Sequence, residues 1–149
     1  MLTIENLLNR GATFNYQSIQ ILTIKNNVKL AKELIPLGLD IHAVDQFGKN
    51  ALYIALTSTQ SRLMFDFLIS HNISLKQKNI NPDPLLLAIN LAFNDDLGIY
   101  YAGKLISYGA PLETIHISTM NKMELSNNSN FSTLIEQHPQ LKPQESYVK

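Results

Sequence analysis

Leu34-Ile35-Pro36-Leu37-Gly38 is two aliphatic residues, two variable ones and a glycine. The same phrase returns as Leu7-Leu8-Asn9-Arg10-Gly11, as Leu68-Ile69-Ser70-His71-Asn72 and as Leu105-Ile106-Ser107-Tyr108-Gly109. Gly and Asn most readily take the left-handed conformation that ends a helix, so each copy predicts a helix stop. The copies start at residues 7, 34, 68 and 105, spacings of 27, 34 and 37. Recurrence at that period predicts a stack of helical repeats that bury their apolar faces against one another.

Outward from these stops, apolar residues at helical spacing come in pairs of segments. Thr3 to Arg10 places Ile4, Leu7 and Leu8 on one face. Ser18 is expected to cap a short helix carrying Ile19, Ile21, Leu22 and Ile24, and Asn27 a second carrying Val28, Leu30, Ala31, Leu34 and Ile35. The pair recurs as Asn50 to Thr59 with Ser61 to His71, then as Asp83 to Phe93 with Leu97 to Tyr108. In the latter, Asp83 caps and Pro84 takes the first helical position, where its missing N–H is harmless. A degenerate pair follows, Ile115 to Leu125 and Phe131 to Gln137. Asn50-Ala51-Leu52-Tyr53-Ile54-Ala55 aligns with Asp83-Pro84-Leu85-Leu86-Leu87-Ala88. Leu52 and Leu85 are therefore expected in the core, with Ala55 and Ala88 letting the paired helix approach closely.

The run Gly38-Leu39-Asp40-Ile41-His42-Ala43-Val44-Asp45-Gln46-Phe47-Gly48-Lys49-Asn50-Ala51-Leu52-Tyr53-Ile54-Ala55 resembles the ankyrin repeat family. It is similar to that family's Gly-Ala-Asp-Val-Asn linker, its Asp-x-x-Gly finger tip and its Thr-Pro-Leu-His-x-Ala helix start. Asn50, Ala51 and Tyr53 depart from Thr, Pro and His, which implies a weakened capping network. Gly109-Ala110-Pro111-Leu112 resembles a further linker and Gly11-Ala12 a fainter one. The resemblance implies an all-α, elongated ankyrin-type solenoid of about four repeats with two short β-finger loops, the second at Gln77 to Pro82. A repeat domain is expected over residues 1–138 and a disordered tail over 139–149, where the chain turns polar and carries two prolines.

Composition narrows the chemistry. The 149 residues carry 12 basic and 12 acidic side chains with no run of either sign, so the basic stripe that nucleic-acid binding requires is missing. Without cysteine there is no thiol chemistry or Cys-based zinc site. His42, His71, His116 and His138 share no metal-ligand spacing, and no cofactor is expected. Asp95-Asp96 reads as a turn and helix cap, and Ser118-Thr119 and Ser126-Asn127-Asn128-Ser129 as caps and a loop. No phosphate loop, nucleophile elbow or paired-carboxylate motif is present. The start lacks a basic segment followed by an apolar core, and no apolar stretch reaches spanning length, so a cytoplasmic protein is expected.

The resemblance implies that a partner protein meets the finger tips and the first helix of each pair. Carried over to this sequence, that surface is Gln46, Phe47 and Lys49 at one tip and Asn79, Ile80 and Asn81 at the next. It continues through Tyr53, Thr57 and Ser58 on one helix and Leu86 and Asn90 on the following one. Phe47 and Tyr53 are the expected anchors, because rigid aromatics dominate interface energy. The expectation is a non-catalytic module, monomeric when free, that binds and occludes another protein, as an inhibitor or immunity protein does to a toxin or enzyme. An effector or adaptor that captures a host or cellular protein is the alternative, and an enzyme of unrecognised type the second. Asn-, Ile- and Lys-rich usage fits an AT-rich bacterial or viral genome.

Overall fold

The computed structural model of the chain describes residues 3–58, 62–75, 83–112, 117–125 and 129–141. Those residues form nine α-helices and no strand, so the fold class is all-α. In order they are α1 (Ile4–Asn9), α2 (Tyr16–Ile24), α3 (Val28–Leu34), α4 (Ala51–Ser58), α5 (Arg62–Ser70), α6 (Pro84–Ala92), α7 (Asp96–Ser107), α8 (Ile117–Leu125) and α9 (Ser129–Gln137). Contacts divide the chain into two compact units, Met1–Ile80 and Asn81–Lys149. No helix of the described residues is long and apolar enough to cross a membrane. The predicted second finger, with Asn79, Ile80 and Asn81, lies outside the described residues, as do Thr59, Ser61, Ile115, His116, residues 126–128 and residues 142–149.

All four predicted stops are left-handed, with φ of 94° at Gly11, 106° at Gly38, 56° at Asn72 and 89° at Gly109. Each closes with the same pair of hydrogen bonds. The N–H of the Gly or Asn donates to the second aliphatic residue's carbonyl, and the next N–H donates to the first, at 2.9–3.3 Å throughout. This Schellman pattern satisfies carbonyls that a helix end otherwise leaves open. A fifth stop was not expected: Asn26, at φ 53°, repeats both bonds with Thr23 and Leu22. Thr23 replaces the second aliphatic residue there, and its buried hydroxyl donates to the Ile19 carbonyl at 2.8 Å.

In the first unit α2 lies beside α4, α3 beside α2 and α5, and α4 on α5. Ile19, Ala31, Leu52, Ala55, Met64, Phe65 and Leu68 are fully buried between them. The α1 helix contributes no buried residue, and Ile4 and Leu7 on its apolar face stay exposed. The cap of α2 differs from the expected Ser18. Asn15 is the cap, accepting from the Gln17 N–H at 2.9 Å, while the Ser18 hydroxyl accepts from the Asn15 N–H at 3.2 Å. The two polar residues satisfy each other's helix end reciprocally, so α2 starts earlier than a lone Ser18 cap implies. Asn27 caps α3 as expected, accepting from the Leu30 N–H at 3.0 Å.

Asn50 caps α4 with a long bond and adds a second one across the unit. Its side-chain oxygen accepts from the Tyr53 N–H at 3.3 Å, and its amide donates to the Ser74 carbonyl at 3.0 Å. An amide has both an acceptor and a donor to spend, so one buried side chain caps α4 and ties it to the segment leaving α5.

In the second unit Asp83 caps α6 at the Leu86 N–H, 2.9 Å away, with Pro84 at the first helical position. Asp95 caps α7 at the Leu97 N–H, 2.8 Å away. Leu85 and Ala88 are buried as expected. Gly98 lets α6 and α7 meet backbone to backbone: a Cβ there would stand 2.6 Å from Ala92 Cα and 2.7 Å from the Ala88 carbonyl oxygen. The α9 helix packs on α7, and its Phe131 ring lies 4.8 Å from that of Phe93 at the end of α6. Pro139–Leu141, placed in the tail by the sequence reading, form a 3-10 turn with Leu141 only 1% exposed. Burying that leucine outweighs the polar, proline-rich composition around it.

Candidate functional site

The tip at Asp45–Lys49 is built from its own backbone. Asp45 Oδ1 accepts from the N–H groups of Phe47 at 2.8 Å and Lys49 at 2.9 Å. The Gly48 N–H donates to the Asp45 carbonyl at 2.9 Å, and the Asp45 N–H donates to the Lys49 carbonyl at 3.0 Å. Gly48 sits at φ 80°, where a Cβ is strained, which is why glycine ends the Asp-x-x-Gly phrase. An aspartate that accepts two of its own loop's N–H groups makes a rigid Asx turn.

The α2 helix supports this loop from the side. The Tyr16 hydroxyl donates to Gln46 Oε1 at 3.2 Å, and Gln20 Nε2 donates to the Lys49 carbonyl at 3.4 Å. Neither Tyr16 nor Gln20 figured in the expected surface. The signal for them was present: α2 and α4 are the first helices of successive pairs, and such helices pack side by side.

Three of the expected residues come together on this support. Lys49 Nζ lies 4.7 Å from the Tyr53 ring centroid and 5.8 Å from that of Phe47, within cation–π range of both. Phe47 is 66% exposed, while Lys49 and Tyr53 are half-buried. Gln46 is exposed and held by Tyr16. One turn along α4, Thr57 and Ser58 are exposed, and the Thr57 hydroxyl donates to the Tyr53 carbonyl at 2.9 Å. In the second unit, Leu86 is half-buried and Asn90 exposed one turn further along α6.

The His71 ring is engaged locally. His71 Nδ1 donates to the Phe67 carbonyl at 2.9 Å and its ring lies 4.4 Å from the Phe67 centroid, at the end of α5. The His42 backbone N–H donates to Asp40 Oδ1 at 2.9 Å. Comparison of the chain with protein-family models, with curated proteins and with solved structures found no match.

Proposed function

We propose that the chain is a non-catalytic, ankyrin-type protein-binding module, a helical repeat solenoid with two finger loops, that works by stoichiometric occlusion of a partner protein. Its role on this reading is that of an immunity or inhibitor protein neutralising a toxin or enzyme in the cytoplasm, monomeric until it meets its partner. The observation that carries this reading is the exposed Phe47 and the Tyr53 ring gathered around Lys49 on a loop fixed by its own hydrogen bonds. A surface already ordered before contact loses little conformational entropy on binding, which favours tight complexes. Aromatics displayed on such a surface are the side chains that contribute most to interface energy.

The test is co-purification from the native cell, identification of the partner and titration calorimetry. A one-to-one complex is expected, weakened by at least about 2 kcal/mol when Phe47→Ala and Tyr53→Ala are combined. Unchanged affinity in that double variant, with the helical signal intact, places the working surface elsewhere.

A further inference from the structure

The side chains at the Asp45–Lys49 tip differ in how their charges are used. Asp45 spends carboxylate oxygen Oδ1 on two loop N–H groups. Lys49 is the opposite case: its backbone is fully hydrogen-bonded, while its ammonium meets aromatic rings. The Lys49 N–H donates to Asp45, and its carbonyl accepts from Asp45 and Gln20. Its Nζ rests over Tyr53 and near Phe47, with no carboxylate in ion-pair range among the described residues. An aromatic face attracts a cation without neutralising it. The ammonium is therefore oriented without an ion-pair partner among the described residues, directly before the first turn of α4, where the helix field also favours anions.

Beside that charge stands Phe47, the most exposed aromatic of the first unit's described residues. A surface that presents a held cation next to a bare aromatic ring is complementary to a carboxylate next to an apolar side chain. A phosphate group, with a charge of about −1.5 to −2, calls for more cationic donors than this single ammonium. Lysine also loses substantial rotamer freedom when it is fixed by a partner. Packing between two rings removes part of that loss beforehand.

We infer that the Phe47–Lys49–Tyr53 tip recognises an acidic side chain adjoining an apolar residue on its protein partner. This rests on the protein-binding reading above and names the chemistry of the surface that the reading requires.

The experiment is selection of a random peptide display library on the intact chain, followed by binding of the recovered peptides to four variants. Recovered peptides that lose binding to the Phe47→Ala, Tyr53→Ala double variant define the tip-directed set. Within that set we expect Asp or Glu beside an aliphatic or aromatic residue. We expect affinity to fall at least tenfold in Lys49→Met, to survive in Lys49→Arg, and to be unchanged in Lys104→Met, a lysine near the Tyr100 and Tyr108 rings in the second unit. Binding should also weaken as salt is raised. Tip-directed peptides that lack acidic residues, or that bind Lys49→Met as well as the unaltered chain, overturn this inference and leave the protein-binding surface standing. A selection that yields no tip-directed peptide overturns both.

Discussion

Replacing Gly98 and Gly103 separately by alanine should move stability in opposite directions, although both glycines lie on α7. At Gly98 the new Cβ would stand 2.6 Å from Ala92 Cα, where unstrained carbon contacts lie at about 3.5–4.0 Å. The obstacle is α6 backbone, so relief requires α6 and α7 to part by roughly 1 Å along their whole contact, given that optimum. Overpacking of this kind costs about 1–3 kcal/mol, and rigid backbone puts Gly98 at the upper end. Alanine regains about 1 kcal/mol of helix propensity, which leaves a net loss of about 2 kcal/mol. At Gly103, among the described residues, a Cβ would meet only Leu134 Cδ1, at an ordinary 3.6 Å. There the propensity gain stands alone, at about 0.5–1 kcal/mol of stabilisation. For a chain of this length, Gly98→Ala should lower the melting temperature by about 4–8 °C and Gly103→Ala raise it by about 1–4 °C. Thermal melts followed at 222 nm, checked against urea midpoints, read both. A Gly98→Ala chain as stable as the unaltered one would refute the backbone contact between α6 and α7.

Three further outcomes follow from the packing. Asn50→Ala removes both the α4 cap and the bond to Ser74, and should cost about 1–3 kcal/mol in urea titration. Asn50→Thr, which keeps a capping oxygen, should fall between. Leu52→Ala and Leu85→Ala each empty a fully buried site and should cost about 2–5 kcal/mol, with an unchanged melt in either case refuting its core position. Gly109→Ala meets no atom of the described residues within 4 Å, so its expected loss of about 1–2 kcal/mol is that of a side chain at φ 89°; equal stability would mean that the stop relaxes.

The helix stops were legible because the signal is local. An aliphatic pair and a Gly or Asn three residues after it contain everything the two closing bonds need. Asn26 escaped because Thr23 disguises the aliphatic pair. The Asn15 cap escaped because a reciprocal pair of polar residues has the same composition whichever member is outermost. Gly98 fell inside the expected helix Leu97 to Tyr108 without being singled out, since its requirement belongs to Ala88 and Ala92 on another helix. At the tip, Phe47, Lys49 and Tyr53 were each singled out as partner contacts, Lys49 with no link to the two rings. Its seat between two rings depends on how the loop folds onto α4, which no single position encodes.

The stops have one further consequence, for how such a chain can change length. Each is closed by two bonds contained within six consecutive residues, and the joints at Leu34 and Leu68 share the same bonding pattern. An in-frame duplication or loss of the segment between those two positions would cut and rejoin the chain at equivalent points, leaving every closing bond intact. The spacing of these joints therefore defines the natural quantum of insertion and deletion. Length variation in close relatives is expected to come in whole steps of about that size, and grafted segments should be cut at the same places.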